Sequence, residues 1–530
     1  MSRTTVADAT PPALGPRKGL RGHPWLTLIS VAFGVMMVAL DGTIVSIANP
    51  AIQKDLGASL ADVQWITNAY LLALAVALIT AGKIGDRFGH RLVFLIGTTG
   101  FAFSSGLIAL SHGVSTVVGL RVLQGLCGAL LMPSALGVLR ATFPAERLNM
   151  ALGVWGMVIG ASTAGGPIVG GLLVEHVNWQ SVFFINVPVG ALAVVLGLLF
   201  LKDRRAEHTS RSFDVPGIVL LSAAMFCLVW ALINAADWHW GSARTLLFLG
   251  ASALGFLLFA LWQLRSREPL LPLGLFRSVP LSAGTVLMVL MAFAFIGGLF
   301  FVTFYLQNVR GMSPVSSGLH LLPTTAMMIV ASPLAGALIT RIGPRIPLAV
   351  GMASTAAACF GLAALTPHTS TLLMSVWFVL LGIGLAPTMV GATEVIVGNA
   401  PLEHAGVAGG LQQSAMQVGG SLGTAVLGAV VASRVNHLLP DNWAAAGLPR
   451  GTPEQMAQAD SAVQVGVAPV PPGAPPELAA RISTVAHDTF VSAMSTGFVV
   501  SGCIAVCAAG VALLTRRGEH ATGSAGAGHI

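Results

Sequence analysis

Long apolar stretches alternate with short polar segments along almost the whole chain. A helix needs about 20 mostly apolar residues to cross the roughly 30 Å hydrocarbon core of a bilayer. Lipid leaves only helices and closed barrels as spanning structures, and these stretches are too long and too continuous for barrel strands. The pattern predicts fourteen membrane-spanning helices, at about residues 25–48, 62–82, 91–111, 114–137, 149–174, 181–201, 214–235, 243–263, 280–306, 315–340, 346–366, 370–392, 404–433 and 490–514.

Composition and charge support this assignment. Of the 530 residues, 55% are hydrophobic and 9% are charged, whereas a soluble domain is about a quarter charged. The net charge of +7 does not indicate nucleic-acid binding, because the basic residues are scattered between the apolar stretches. Most of them lie in tails and loops on the same side of the membrane as the amino terminus. The positive-inside rule therefore predicts a multi-pass plasma-membrane protein with both termini in the cytoplasm.

An internal similarity divides the chain into two halves. Residues 82–91, at the end of the second stretch, match residues 336–345, at the end of the tenth, with Gly, Arg, Gly and Arg in register. Repeats of this kind mark secondary transporters, whose substrate site lies between the halves near the bilayer midplane.

The apolar stretches and the repeat together predict an all-α membrane protein with five parts. They are a disordered cytoplasmic tail (1–23), a six-helix bundle (24–205), two inserted helices (206–265), a second six-helix bundle (266–515) and a cytoplasmic tail (516–530). The second bundle contains an extracellular loop at 434–489, interpreted as a solvated linker, with a lid near the exit as the alternative. Within this loop, residues 477–490 have the pattern of a short surface helix.

Two charged residues are predicted deep inside the membrane. A carboxylate such as Asp41 costs roughly 2.5–3.5 kcal/mol at the centre of a spanning helix, so it normally serves a function. Arg121 is the only basic residue well inside a stretch, and at 1.5 Å per residue both groups lie ~10 Å below the outer surface. We expect Asp41 to be the main proton-coupling residue, either paired with Arg121 or sharing a polar cavity with it. A static structural pair is the alternative.

Two further titratable residues are candidates for proton coupling. Glu394 lies near the cytoplasmic end of its stretch, where it either faces the cytoplasm or forms an inner relay point. His320 has an ordinary pKa of about 6.5, which suits a proton gate. A helix–helix hydrogen bond is the alternative role for His320.

Two glycine-rich motifs carry conformational signals. GKIGDRFGHR permits a tight turn and brings Asp86 towards a neighbouring helix N-terminus. The motif-loop residues are Gly82, Gly85, Asp86, Arg87, Gly89 and Arg91, with Arg341 and Arg345 in the second copy, where Thr340 replaces the Asp. GGPIVGG and its upstream glycine allow close helix packing and comprise Gly153, Gly165, Gly166, Pro167, Gly170 and Gly171.

These motifs resemble known signatures. The loop is similar to the latch signature of the major facilitator superfamily, and GGPIVGG is similar to the antiporter signature of its drug exporters, with Ser162 where that pattern usually has Gly. Nearly the whole chain resembles the fourteen-span drug:proton antiporters, as shown by LDGTIVSIANP, NWQSVFFINVPVG, FYLQNVRGMSP and AGVAGGLQQSAMQVGGSLGTAV. The chain has Trp179-Gln180-Ser181 where the family usually has Trp-Arg-Trp.

The resemblance implies a major facilitator fold and proton-coupled efflux of amphiphilic or cationic small molecules by alternating access, as in antibiotic and multidrug resistance. A proton-coupled symporter for a small solute is the alternative. A sensor or membrane enzyme is a third class, but the loops hold no catalytic cluster. We expect small-molecule substrate, protons and the bilayer as partners, no nucleic acid, and a functional monomer.

The sequence also indicates which residues line the substrate cavity. We expect apolar walls with a few polar anchors, and the candidates are Asn68, Gln124, Trp155, Met288, Phe295, Gln412, Gln413 and Gln417. Such residues can instead face lipid or neighbouring helices. No cofactor or metal is expected, because the sequence has no phosphate-binding loop and its five cysteines lack metal-ligand spacing.

Overall fold

The computed structural model describes residues 21–58, 60–202, 214–238, 240–266, 269–449, 452–471 and 473–516, in which all regular structure is helical. Fourteen helical segments there are long and apolar enough to cross a membrane, as the sequence predicts. Most of the two predicted tails, and much of the segment joining the sixth and seventh crossings, lie outside the described residues.

Sixteen α-helices follow one another within the described residues. They are α1 (Pro24–Leu56), α2 (Leu60–Phe88), α3 (His90–Ala109), α4 (Val114–Thr142), α5 (Ala145–His176), α6 (Gln180–Phe184), α7 (Asn186–Phe200), α8 (Val215–Trp238), α9 (Ala243–Arg265), α10 (Val279–Phe304), α11 (Pro314–Ile342), α12 (Arg345–Ala363), α13 (Thr371–Asn399), α14 (Ala405–Ala445), α15 (Pro453–Val463) and α16 (Pro476–Ala512). Short α6 and α7 together form the sixth crossing, and α15 does not cross.

The crossings form two six-helix halves, α1–α7 and α10–α16, with α8 and α9 inserted between them along the chain. The halves meet where α2 packs on α14 and where α5 packs on α11. The inserted helices pack on each other, and α8 also contacts α2 and α14. Trp65 of α2 lies against Trp230 of α8, with ring centroids 5.0 Å apart. We call the side that carries the α2–α3 turn the inner side and the opposite side the outer side.

The outer segment 434–489 is folded, so its interpretation as a solvated linker is wrong for the described residues. α14 continues to Ala445, and α16 already begins at Pro476. The predicted surface helix at 477–490 is therefore the first part of a crossing helix. Apolar side chains from α14, α15 and α16 bury one another there, among them Leu439, Val463 and Phe490. This mutual burial is what orders the segment.

Candidate functional site

Asp41 of α1 and Arg121 of α4 form a direct ion pair inside the first half. The Nη1 atom of Arg121 donates a hydrogen bond to Oδ2 of Asp41 at 2.6 Å. The Asp41 side chain is 0% exposed and the Arg121 side chain is 1% exposed. A buried pair of this kind is costly to assemble, and it is strongly destabilising to lose one partner and leave the other charge uncompensated. The structure therefore unites the two intramembrane charges that the sequence singles out.

Two amides complete the surroundings of the carboxylate. Gln124 Nε2 donates to Asp41 Oδ1 at 3.0 Å, while its Oε1 accepts from Arg121 Nη1 at 2.7 Å. Asn186, at the start of α7, donates to Asp41 Oδ1 at 3.3 Å and to Ser105 Oγ at 3.0 Å. Asn186 and Ser105 were not predicted as site residues. For Asn186, the available sequence signal is an Asn within the FFINVP run.

Arg121 has further contacts that do not depend on the charge of Asp41. Its Nε donates to the backbone carbonyl of Ile66 at 3.0 Å. Its guanidinium lies 4.2 Å from the centroid of the Tyr70 ring, a distance at which a cation–π interaction is favourable. These contacts from α2 can hold Arg121 in place when Asp41 changes protonation state.

Glycines of α5 bring that helix against α1 beside Asp41. A Cβ added at Gly166 would overlap the Oγ1 atom of Thr43, and one at Gly170 would lie 2.8 Å from Ile44 Cγ1. Gly153 packs on the α11 backbone, and a Cβ at Gly171 would lie 3.0 Å from Val315 Cγ2, also on α11. Close helix packing thus explains these four glycines.

Three other positions of this motif behave differently. Gly165 faces open space, with no atom within 4 Å of an added Cβ, so the expected close packing is absent at this position. Ser162 is buried and donates to the Val158 carbonyl at 2.7 Å, so the hydroxyl is satisfied within its own helix. The side chain of Pro167 lies outside the described residues.

On the inner side, Asp86 joins the two halves. Its Oδ1 and Oδ2 atoms accept hydrogen bonds from the backbone N–H groups of Gly406 at 2.7 Å and Val407 at 2.9 Å, at the N-terminus of α14. A carboxylate is favoured there because the helix presents unpaired N–H groups and a positive dipole end. Gly82 lies against the Gly406 backbone, so the inner ends of α2 and α14 touch. We call this contact the latch.

The other motif-loop residues surround the latch. Gly89 alone joins α2 to α3, with a φ of 95° that favours glycine, and Gly85 packs against His90. His90 Nε2 lies 3.2 Å from Asp86 Oδ1. Arg87 lies over the Phe88 ring at 5.4 Å, and Arg91 donates to the Leu198 carbonyl at 3.3 Å.

The second copy of the motif forms a weaker contact. Thr340, at the position equivalent to Asp86, accepts a hydrogen bond from Asn149 of α5 at 3.3 Å. Gly336 lies against the Asn149 backbone. Arg341 and Arg345 are exposed at the inner ends of α11 and α12. The two contacts between the halves are therefore chemically unequal.

Glu394 and His320 lie in the second half, away from the Asp41 pair. Glu394 is 8% exposed, so it does not face open water as one interpretation had it. It interacts electrostatically with Arg140 of α4, whose Nη2 donates to the Gly398 carbonyl at 3.2 Å. His320 is half-buried, and its Nδ1 is 2.8 Å from the Ser316 carbonyl in the same helix. The predicted helix–helix hydrogen bond is not among its described contacts.

The candidate cavity residues fall into three groups. Gln124 is engaged by the ion pair, and Asn68, Phe295 and Gln417 are half-buried. Trp155, Met288, Gln412 and Gln413 are buried, and Gln412 Nε2 lies 3.8 Å from Met288 Sδ. Within the described residues, Trp155 Nε1, Gln412 Oε1 and Gln413 Nε2 have no hydrogen-bond partner. The inner side thus encloses unsatisfied polar atoms, and no cluster of metal-ligating side chains is found in the described part of the chain.

Known proteins share this sequence and fold. The model of the Major Facilitator Superfamily matches residues 31–424. The tetracenomycin C resistance and export protein of Streptomyces glaucescens is 63% identical over 519 residues, covering 98% of this chain and 96% of that protein. The multidrug resistance protein Stp of Mycobacterium tuberculosis is 34% identical over 417 residues, covering 78% and 77%.

A solved structure shows the same fold at low sequence identity. The human organic anion transporter MFSD10 superposes with a TM-score of 0.58 at 12% identity, covering 91% of this chain and 99% of that one. The likeness concerns the fold alone, whereas the family match and the curated relatives concern function. The chain therefore belongs to the major facilitator superfamily, as a multi-pass membrane transporter of its drug-efflux family and not an enzyme.

Proposed function

We propose that this transporter couples proton uptake to the export of amphiphilic or cationic small molecules by alternating access. The observation that carries the proposal is the buried Asp41–Arg121 pair with its two amide donors. A carboxylate inside a membrane helix is costly unless it is paired, neutralised or used. Asp41 is able to alternate between an ion-paired carboxylate and a neutral acid within one transport cycle.

The contacts of Arg121 support this role. When Asp41 takes up a proton it loses its charge, and the attraction to Arg121 weakens. The Ile66 carbonyl and the Tyr70 ring still hold the guanidinium nearby. Arg121 then favours release of that proton, because a neighbouring cation stabilises the carboxylate form. Proton binding and release can therefore follow helix movement without displacement of Arg121.

Opening of the inner side would expose the substrate site. The latch and the α5–α11 contact would separate, and the unsatisfied atoms of Trp155, Gln412 and Gln413 would meet the cavity. These amide and indole groups can bind polar groups of a substrate while the neighbouring apolar side chains bind its hydrophobic body. Given the 63% identical export protein, we propose tetracenomycin C or a close chemical relative as the substrate.

The same proposal includes orientation and assembly. The basic residues around the latch and at the ends of α11 and α12 favour a cytoplasmic inner side. In the plasma membrane, this orientation puts both termini in the cytoplasm. A single chain contains both halves, the ion pair and the latch, so a monomer has every part that the mechanism requires.

Asp41→Asn tests the proposal, with Asp55→Asn as a matched control. Asp55 is an exposed carboxylate at the outer end of the same helix, where it accepts a hydrogen bond from Trp179 Nε1. Inverted vesicles with an acidified interior should lose protons when tetracenomycin C is added to the wild type or to Asp55→Asn, but not to Asp41→Asn. A symporter would instead move substrate and protons in the same direction. Proton-driven transport by Asp41→Asn would contradict the assigned role.

A further inference from the structure

The inner ends of the inserted helices are held by one carboxylate. Asp214, which immediately precedes α8, is 8% exposed. Its Oδ1 accepts from Trp262 Nε1 at 2.6 Å and from the Gly217 N–H at 2.9 Å. Its Oδ2 accepts from Gln263 Nε2 at 2.6 Å and from the Leu270 N–H at 3.2 Å. One side chain thus joins α8, α9 and the segment that follows α9.

That segment lies against the latch. Lys83 of α2 donates to the Pro269 carbonyl at 3.2 Å, and Gln263 Oε1 accepts from the Leu271 N–H at 3.3 Å. Leu270 and Leu271 are buried in an apolar cluster that also contains Ile79 of α2 and Val407 of α14. We call Asp214, Trp262, Gln263 and residues 269–271 the clasp.

The clasp and the latch share a residue. The N–H group of Val407 is bonded to Asp86, while the Val407 side chain belongs to the cluster that holds Leu270 and Leu271. When α14 moves away from α2, Val407 of α14 must therefore lose its contact either with Ile79 of α2 or with the clasp. Each buried leucine that loses such contacts returns apolar surface to water, which is unfavourable.

We propose that Asp214 is a positioning residue of the transport cycle, which fixes residues 269–271 across the inner ends of α2 and α14 and thereby favours the closed inner side. The inserted helices then help to set how often the transporter opens to the cytoplasm. This inference rests on the proposed alternating-access mechanism and adds a role for α8 and α9. It predicts that a weakened clasp opens the latch more often.

Asp214 remains charged under physiological conditions. Burial by itself would raise the pKa of the Asp214 carboxyl, but the hydrogen bonds from Trp262, Gln263, Gly217 and Leu270 together lower that pKa below its ordinary value. A charged acceptor makes stronger hydrogen bonds than a neutral one. The clasp is therefore a constant restraint on the latch at neutral pH.

The alkylation rate of a cysteine placed at the latch measures how often the inner side opens. Ala405, the first residue of α14, is buried in the closed state. Ala405→Cys is made in a chain whose Cys227, Cys503 and Cys507 are replaced by Ser, and inverted vesicles are treated with a membrane-impermeant maleimide. Asp214→Asn should speed alkylation roughly tenfold, since hydrogen bonds to a charged group are lost or weakened. Trp262→Phe should produce a smaller increase.

Trp238→Phe is the matched control, because Trp238 packs on Trp230 and Phe248 near the outer end of the same helix pair. The alkylation rate of the Trp238→Phe variant should equal that of the same cysteine-replaced chain carrying only Ala405→Cys. Unchanged rates in both Asp214→Asn and Trp262→Phe, with normally folded protein, would overturn the proposal. Trp262→Phe keeps a large aromatic ring, so it tests the clasp even where Asp214→Asn fails to fold.

Transport kinetics separate positioning from simple stability. A larger inward-open fraction lowers the apparent KM for substrate offered from the cytoplasmic side, because apparent affinity scales with the competent population. We expect Trp262→Phe to lower KM severalfold relative to Trp238→Phe. A fall in maximal rate with unchanged KM and alkylation would overturn the positioning role. The alkylation assay needs no proton gradient, so loss of proton coupling would contradict the proposed function without affecting this test.

Discussion

Asn186, at the first turn of α7, donates a hydrogen bond to the same Asp41 carboxylate that Arg121 neutralises. Three helices besides α1 therefore influence this group: α4 through Arg121 and Gln124, α7 through Asn186, and α2 through its hold on Arg121. A charge placed in this way responds to relative movement of any of these helices. Such an arrangement suits a group whose protonation follows conformational change.

Removal of the Asn186 donor should weaken the site without abolishing the ion pair. Asn186→Ala leaves Asp41 with fewer donors and Ser105 without its amide partner, which should cost about 1–3 kcal/mol of stability. The thermal unfolding midpoint of the purified protein and proton-driven efflux should both fall. Asn234→Ala, at a half-buried position of α8 away from the predicted site residues, provides the comparison. Equal losses in the two variants would argue against a special role for Asn186.

The two charges of the pair should show strong energetic coupling. Arg121→Gln alone leaves an uncompensated buried carboxylate and should cost about 3–5 kcal/mol. Combining it with Asp41→Asn should recover much of that stability, because neither charge then remains buried alone. A double-mutant cycle on chemical unfolding measures this coupling. Additive losses would show that the pair is not the principal interaction of either residue.

The latch should be functionally asymmetric. Asp86→Asn removes the charge at the N-terminus of α14 and abolishes one of the two backbone hydrogen bonds, because an amide NH2 group cannot accept from an N–H. The change should cost about 1 kcal/mol or more. Thr340→Val, at the equivalent place in the second copy, removes a neutral hydroxyl that accepts a hydrogen bond from Asn149 at 3.3 Å and donates one to the Gly336 carbonyl of its own helix. We expect efflux rates to fall much further in Asp86→Asn. A larger loss in Thr340→Val would contradict this order.

Two neighbouring glycines of α5 should differ in their tolerance of one added methyl group. Gly166→Ala places a Cβ on the Thr43 hydroxyl, next to Asp41, and should cost about 1–3 kcal/mol through overpacking. Gly165→Ala enters open space and should leave unfolding unchanged. Expression level, unfolding midpoint and efflux can be compared in the pair. Similar behaviour of the two variants would show that α5 does not pack on α1 as described.

Hydropathy was sufficient to predict the fourteen crossings, the internal repeat predicted the two halves, and similar depth made Asp41 and Arg121 a candidate pair. Apolar length is a local property of the chain, and intramembrane charges are rare enough to be matched by depth. The Asp86 motif likewise predicted a helix N-terminus as its partner, since a carboxylate in a tight loop suits one.

Other features depend on contacts between residues far apart in the chain. The partnership of Asn186 with Asp41, the burial of Glu394 near Arg140 and the folded outer segment at 434–489 required the tertiary structure. The four hydrogen bonds of Asp214 did so as well, because Asp214 lies at the edge of a predicted crossing and resembles an ordinary loop residue. Helix order and length are encoded locally, whereas the partners of a polar side chain are set by how the helices pack.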